Sequence, residues 1–122
     1  ASDVYKRQVN TERKKAGLTE LTWDDTVATA AMTRSKEIEK SFSHTRPDGR
    51  NFGTAITDLG ITYRGAGENI AWGQKTPEAV MNAWMNSEGH RANILNPNFK
   101  KLGVGYRTDS QRTPYWTQLF TY

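Results

Sequence analysis

"AVMNAWMNSEGHRANILNPNFKKLGVGY", residues 79–106, is the stretch whose reading decides the fold. Just ahead of it, Thr76-Pro77-Glu78 marks a helix start, with a capping hydroxyl, proline at the first helical position and an acid in the first turn. The helix presents Val80, Ala83, Trp84 and Ser87 along one stripe. If it ran on through Gly89 at 100° per residue, Glu88 and His90 would fall about 160° apart and could not serve one site. A better parse ends the helix near Asn86 and lets Ser87 cap a new short helix, with Glu88 in its first turn and His90 one turn in. On that reading the helix dipole alone accounts for Glu88. Pro97 closes the short helix, and a strand pattern follows.

Working outward toward the C-terminus, "KLGVGYRT" alternates Leu102, Val104 and Tyr106. "PYWTQLFTY" alternates Trp116, Gln118 and Phe120 against Tyr115, Thr117 and Leu119. The intervening "DSQRT" reads as a hairpin loop. Toward the N-terminus, a first helix is expected over Asp3–Ala16, with Val4, Tyr5 and Val9 on one side and Gly17 as its stop. Leu18, Leu21 and Trp23 supply apolar anchors. One of Asp24 and Asp25 caps a second helix to about Lys40, which buries Val27, Ala31 and Ile38. Between residues 41 and 76 the pattern changes to loops and short elements: "FSHTRPDGRNF" contains a Pro-Asp-Gly turn, "YRGAGENIAWG" is glycine-rich, and a short helix fits around Thr54–Leu59. The natural assembly is an antiparallel sheet between helices on either face.

Composition agrees with one domain over residues 1–122. Four Trp and five Tyr argue for a packed interior. The net charge of +4 is spread along the chain with no run of five or six like charges, so a nucleic-acid arm is not expected. With no cysteine, disulfides, thiolate metal sites and a Cys nucleophile are excluded. No apolar run approaches the roughly 20 residues of a membrane span. The chain opens within three residues of a helical pattern and shows no leader, which reads as a mature or excised domain.

Few groups can do acid–base or metal chemistry near neutrality: His44, His90 and the carboxylates. Glu68 stands out because "AGENIAWG" surrounds it with small and apolar residues, where a carboxylate is partly buried and needs a partner. A structural reading pairs it with a backbone amide or Arg64. His44 taken singly is compatible with an exposed loop, and His90 with a hydrogen bond to the loop it packs against. No short metal motif is present. His44, Glu68 and His90 are 24 and 22 residues apart, so only tertiary structure could bring them together.

Five segments in order, "NTERKKAGLTELTWDDTVATAA", "FSHTRPDGR", "GENIAWG", "AVMNAWMNSEGHRANILNPNFKKLGVGY" and "YWTQLF", resemble the CAP superfamily of SCP/PR-1-like, antigen-5 and cysteine-rich secretory proteins, and most closely its cysteine-free bacterial branch. The resemblance implies an α+β fold, a three-layer α-β-α sandwich with a central antiparallel sheet, secreted or cell-wall associated. It also implies a central His/Glu cleft that in many members binds a divalent metal such as zinc. By motif, His44 matches the family's first histidine and Glu68 the glutamate of its "GEN" segment. Animal and plant members carry their second histidine in "GHFTQ", where this chain has "PYWTQ" with Tyr115. Their second glutamate lies three residues after a helical Trp, where this chain has Ser87. Bacterial members share the "GHR" just downstream, which implies that His90 enters the cleft in place of the missing imidazole, with Glu88 a further cleft candidate.

The resemblance thus implies His44, His90 and Glu68 as metal ligands, and as the catalytic set if the chain is an enzyme. Two imidazoles and a carboxylate suit zinc with an open water position. Glu68 could instead act through water as a base or outer partner. Ser87, His44 and Glu68 could also be drawn as a Ser-His-Glu set, without a nucleophile elbow to support it. The expected function is an extracellular, monomeric binding module for a lipid, peptide or cell-wall component, with Trp72, Tyr115 and Trp116 as aromatic contacts or core. The alternative is a metal-assisted, peptidase-like hydrolase using the same cleft.

Overall fold

The computed structural model describes residues 2–122; Ala1 of the expected domain lies outside the described residues. The elements in chain order are α1 (Ser2–Lys15), β1 (Thr22–Trp23), α2 (Asp25–Lys40), α3 (Thr54–Thr57), β2 (Ala66–Trp72), α4 (Pro77–Met85), α5 (Glu88–Ile94), β3 (Lys101–Thr108) and β4 (Pro114–Thr121). The sheet order is β1-β3-β4-β2. The sheet is mixed rather than antiparallel throughout, because the two-residue β1 runs parallel to β3 at one edge. The long pairings, β3 with β4 and β2 with β4, are antiparallel.

Local chemistry sets the helix ends. Asp24 caps α2 by accepting from the amides of Thr26 and Val27, and Thr76 caps α4 by accepting from Ala79, with Pro77 following. Gly17, at φ 75°, ends α1 and lets Leu18 N–H reach back to the Arg13 carbonyl. The break at residues 86–87 is real: α4 ends at Met85 and α5 starts at Glu88. Ala83, expected on the buried stripe, is exposed, and Met81 takes its place beside Val80 and Trp84.

Two apolar layers follow from the alternation of the strands. Val27, Ala30 and Ala31 of α2 pack with Ala55, Ile56 and Leu119 on one face of the sheet. Val9, Val80, Trp84, Ile94, Leu102, Val104, Trp116 and Phe120 join α1, α4 and α5 to the other. The helix–sheet contact on the first face is very close. A Cβ at Gly103 would run into the backbone of Ala28, and one at Gly105 into that of Ala31. Glycine alternating with Leu102, Val104 and Tyr106 is therefore what lets α2 lie against β3.

The main departure from the sequence reading is β2. Residues 66–72, expected as loop, form the outer strand against β4. Residues 67–71 are buried on both faces, so they show no apolar–polar alternation.

Candidate functional site

Glu68 and Asn69 are neighbours on β2, so their side chains leave opposite faces of the sheet. Glu68 lies opposite Leu119, toward α2, and Asn69 lies opposite Gln118, toward α4 and α5. Each fastens one of the two segments that carry the histidines.

On the α2 side, Arg34 Nε donates to Glu68 Oε2 at 2.6 Å and Nη2 donates to Oε1 at 3.1 Å. Both side chains are 0% exposed. The remaining guanidinium donors reach Glu37 Oε1 at 2.8 Å and the Ser43 carbonyl at 2.6 Å. Burial works to lower the Arg34 pKa, but Glu68 and then Glu37 more than offset it, so the group is held above its ordinary value and stays charged. The turn after α2 is secured further by Arg46, which pairs with Glu37, Asp58 and Thr54.

His44 stands on that turn, its ring 2.8 Å from Glu68 Oε1 through Nδ1. Because a carboxylate only accepts, Nδ1 carries the proton, so Nε2 is the nitrogen left to accept whenever the ring is neutral. The side chain is 58% exposed, with Phe52 edge-on to the ring at 6.2 Å.

On the other side, Asn69 Nδ2 donates to the His90 carbonyl and to Gln118 Oε1, both at 3.0 Å. Asn93 of α5 donates to Asn69 Oδ1 at 2.9 Å and to the Glu68 carbonyl at 3.2 Å. His90 is half-buried, with Nδ1 at 2.9 Å from Ser87 Oγ. Ser87 occupies the extended N-cap position of α5 but makes no side-chain cap, since its hydroxyl is turned to the imidazole three residues on. Burial, and then the charge of His44, lowers the His90 pKa from 6.5. The shift favours the neutral ring, the form that a metal ligand or proton acceptor needs.

His44 and Glu68 are in direct contact, and His90 comes from α5, close enough to feel the His44 charge. Glu88 is exposed in the first turn of α5. Ser87 contacts His90, so the Ser87-His44-Glu68 set does not form. Tyr115 donates to Asp109 Oδ2 at 3.2 Å in the hairpin. It lies four positions along β4 from Leu119, the residue opposite Glu68, about 13 Å at 3.3 Å per residue. Trp116 is core, whereas Trp72 is 57% exposed on the same face of β2 as Glu68. The Glu68 partner is Arg34, not Arg64.

Among the described residues no group of three or more His, Cys, Asp or Glu is arranged to hold a metal ion. The donor set explains why. Glu68 has both oxygens engaged by a buried guanidinium and an imidazole, and a cation brought onto it would face Arg34. The two imidazoles retain Nε2; the carboxylate fits the role of holding His44 in place.

Residues 6–120 match the family described as "CAP: Cysteine-rich secretory protein family". The chain belongs to that family. It is 48% identical over 123 residues to the uncharacterized protein YkwD of Bacillus subtilis, covering 96% of this chain and 47% of that protein. An extracellular protein containing a SCP domain from Bacillus anthracis superposes with a TM-score of 0.86 at 32% identity, over 98% of this chain and 41% of that one. The fold is also that of a structure described as NaASP2 with Zn2+, at a TM-score of 0.72 and 18% identity over 98% of this chain and 78% of that one. This chain spans less than half the length of these two Bacillus proteins. No helix among the described residues is long and apolar enough to cross a membrane.

Proposed function

We propose that this chain is a single extracellular CAP domain that binds an extended ligand over His44 and His90 and along β2 to Trp72. The observation that carries the reading is the way the two imidazoles are held: each has Nδ1 on an internal partner, Glu68 Oε1 or Ser87 Oγ. Trp72, exposed four residues along β2 from Glu68, extends the same face with an apolar contact surface. The extracellular setting rests on the description of the Bacillus anthracis relative.

The two Nε2 atoms, which have no hydrogen-bond partner among the described residues, are the atoms that would hold a divalent cation such as zinc, with solvent completing its coordination. When bound it would supply a Lewis acid. Arg34 fixes Glu68, Glu68 fixes the His44 tautomer, and Ser87 fixes the His90 ring. This favours holding a ligand over turning one over. A carboxylate with both oxygens engaged by N–H donors is poorly placed to take a proton from water, which weighs against the peptidase-like alternative.

The test is a zinc titration of the whole chain followed through the imidazole NMR signals, with calorimetry alongside. Saturable binding that perturbs both rings and disappears in His44→Gln and in His90→Gln is expected. Heat without a shift in either ring, or no heat, would remove the metal from the reading.

A further inference from the structure

We propose a second binding site, for an acidic glycan, in the groove beside the β3–β4 hairpin on the face of the sheet away from α2. The groove is about 690 Å³ and is lined by Lys75, Tyr106, Thr108, Gln111, Arg112 and Thr113, among others. None of the ion pairs among the described residues uses Lys75 or Arg112. Glu78, three residues from Lys75, makes no ion pair with it. The carboxylate close to Arg112 in sequence, Asp109, is already engaged. Its Oδ1 accepts from the amides of Gln111 and Thr113, and its Oδ2 from Tyr115. Two cations therefore face the groove without a counter-charge.

The backbone at Arg112 adds an independent observation. It is the one non-glycine residue with positive φ among the described residues, at 63°. In that region glycine is the unstrained choice, and a long side chain costs on the order of 1 kcal/mol. Arg112 thus places a guanidinium at the groove in a backbone position where glycine is the conformationally easier residue. Both walls are fixed: Gly73 N–H donates to the Pro114 carbonyl at 2.9 Å, and Trp116 Nε1 donates to the Gln74 carbonyl at 2.8 Å.

The remaining lining selects among anions. Tyr106 is half-buried, its ring 4.3 Å from that of Trp116, and offers a rigid apolar surface to the C–H face of a sugar. Thr108, Gln111 and Thr113 match sugar hydroxyls. Lys75 and Arg112 match carboxylates, the guanidinium bidentately. A carboxylate-bearing saccharide satisfies all three.

Calorimetry of the whole chain with oligogalacturonate, with neutral cellohexaose and with polyglutamate tests this. Oligogalacturonate is expected to bind saturably, more weakly at higher salt, and cellohexaose and polyglutamate at least about tenfold more weakly. Lys75→Gln and Arg112→Gly should each weaken oligogalacturonate binding about three- to tenfold. Arg112→Gly should do so without lowering the thermal midpoint, because glycine adopts that φ freely. The proposal is overturned if oligogalacturonate does not bind, if polyglutamate binds equally well, or if either substitution leaves the affinity unchanged.

Discussion

Arg34 and Glu68, 34 residues apart in sequence, form a two-point ion pair at 2.6 and 3.1 Å with neither side chain exposed. The pair ties the middle of α2 to the outer strand β2, and through Glu68 it sets the orientation of His44. The site's one deeply buried carboxylate is thereby a supporting group, and the exposed imidazole is the group presented to solvent.

Removing one member leaves the other buried without its two-point partner, with Glu37 as the only carboxylate remaining to Arg34, or the His44 imidazole to Glu68. Arg34→Met should destabilise the chain by about 3–5 kcal/mol, and Glu68→Gln by a similar amount. The double substitution should cost less than the sum, since it leaves no unpaired charge behind. Urea denaturation of the four proteins measures the coupling. Additive losses would show that the two groups do not depend on each other.

His90 gives the stability a pH dependence of known sign. Its folded-state pKa lies below the unfolded value of 6.5, chiefly through burial. As pH falls through 6.5 the unfolded chain takes up this proton before the folded one does, so its protons favour unfolding. The contribution is present above 6.5 and is lost as pH drops below it toward the lowered folded-state value. Urea midpoints between about pH 5 and 7.5 should fall more steeply on the acid side for the wild type than for His90→Gln. Parallel curves for the two proteins would contradict the assignment.

What could be read from sequence and what could not divide along physical lines. Caps and stops placed the helices, including the interruption at residues 86–87 that separates α4 from the short helix carrying both Glu88 and His90. Alternation placed β3 and β4. β2 escaped because Glu68 and Ile70 are buried toward α2 while Asn69 and Ala71 are buried toward the other layer, which erases the period of two. The two residues of β1 are too short to carry any period. Arg34 was the missing member of the site, yet it sits on the buried stripe of α2, between Ala31 and Ile38 at helical spacing. A charged residue on an otherwise apolar stripe points to a buried counter-charge elsewhere, and Glu68 was already the candidate. Asn69 was less visible, because its role lies in joining the His90 carbonyl to Gln118 and Asn93.

Arg13 tests how α5, and with it His90, is held. This side chain is buried and has no carboxylate partner among the described residues; it donates instead to the carbonyls of Thr19, Ile94 and Asn96 at 2.8–2.9 Å. Burial lowers its pKa, and nothing of opposite charge offsets the effect. Carbonyls at the C-terminal end of α5 carry the negative end of the helix dipole, so they are the acceptors best able to stabilise a guanidinium there. Arg13→Met keeps much of the volume but strands the three carbonyls, one of them on fully buried Ile94. A loss of about 3 kcal/mol is expected in urea denaturation. The His90 ring signal should shift at the same time, although Arg13 donates to Thr19, Ile94 and Asn96 and not to His90, because α5 loses its anchor. A variant within about 1 kcal/mol of the wild type, with an unmoved His90 signal, would mean that the apolar layer alone positions α5.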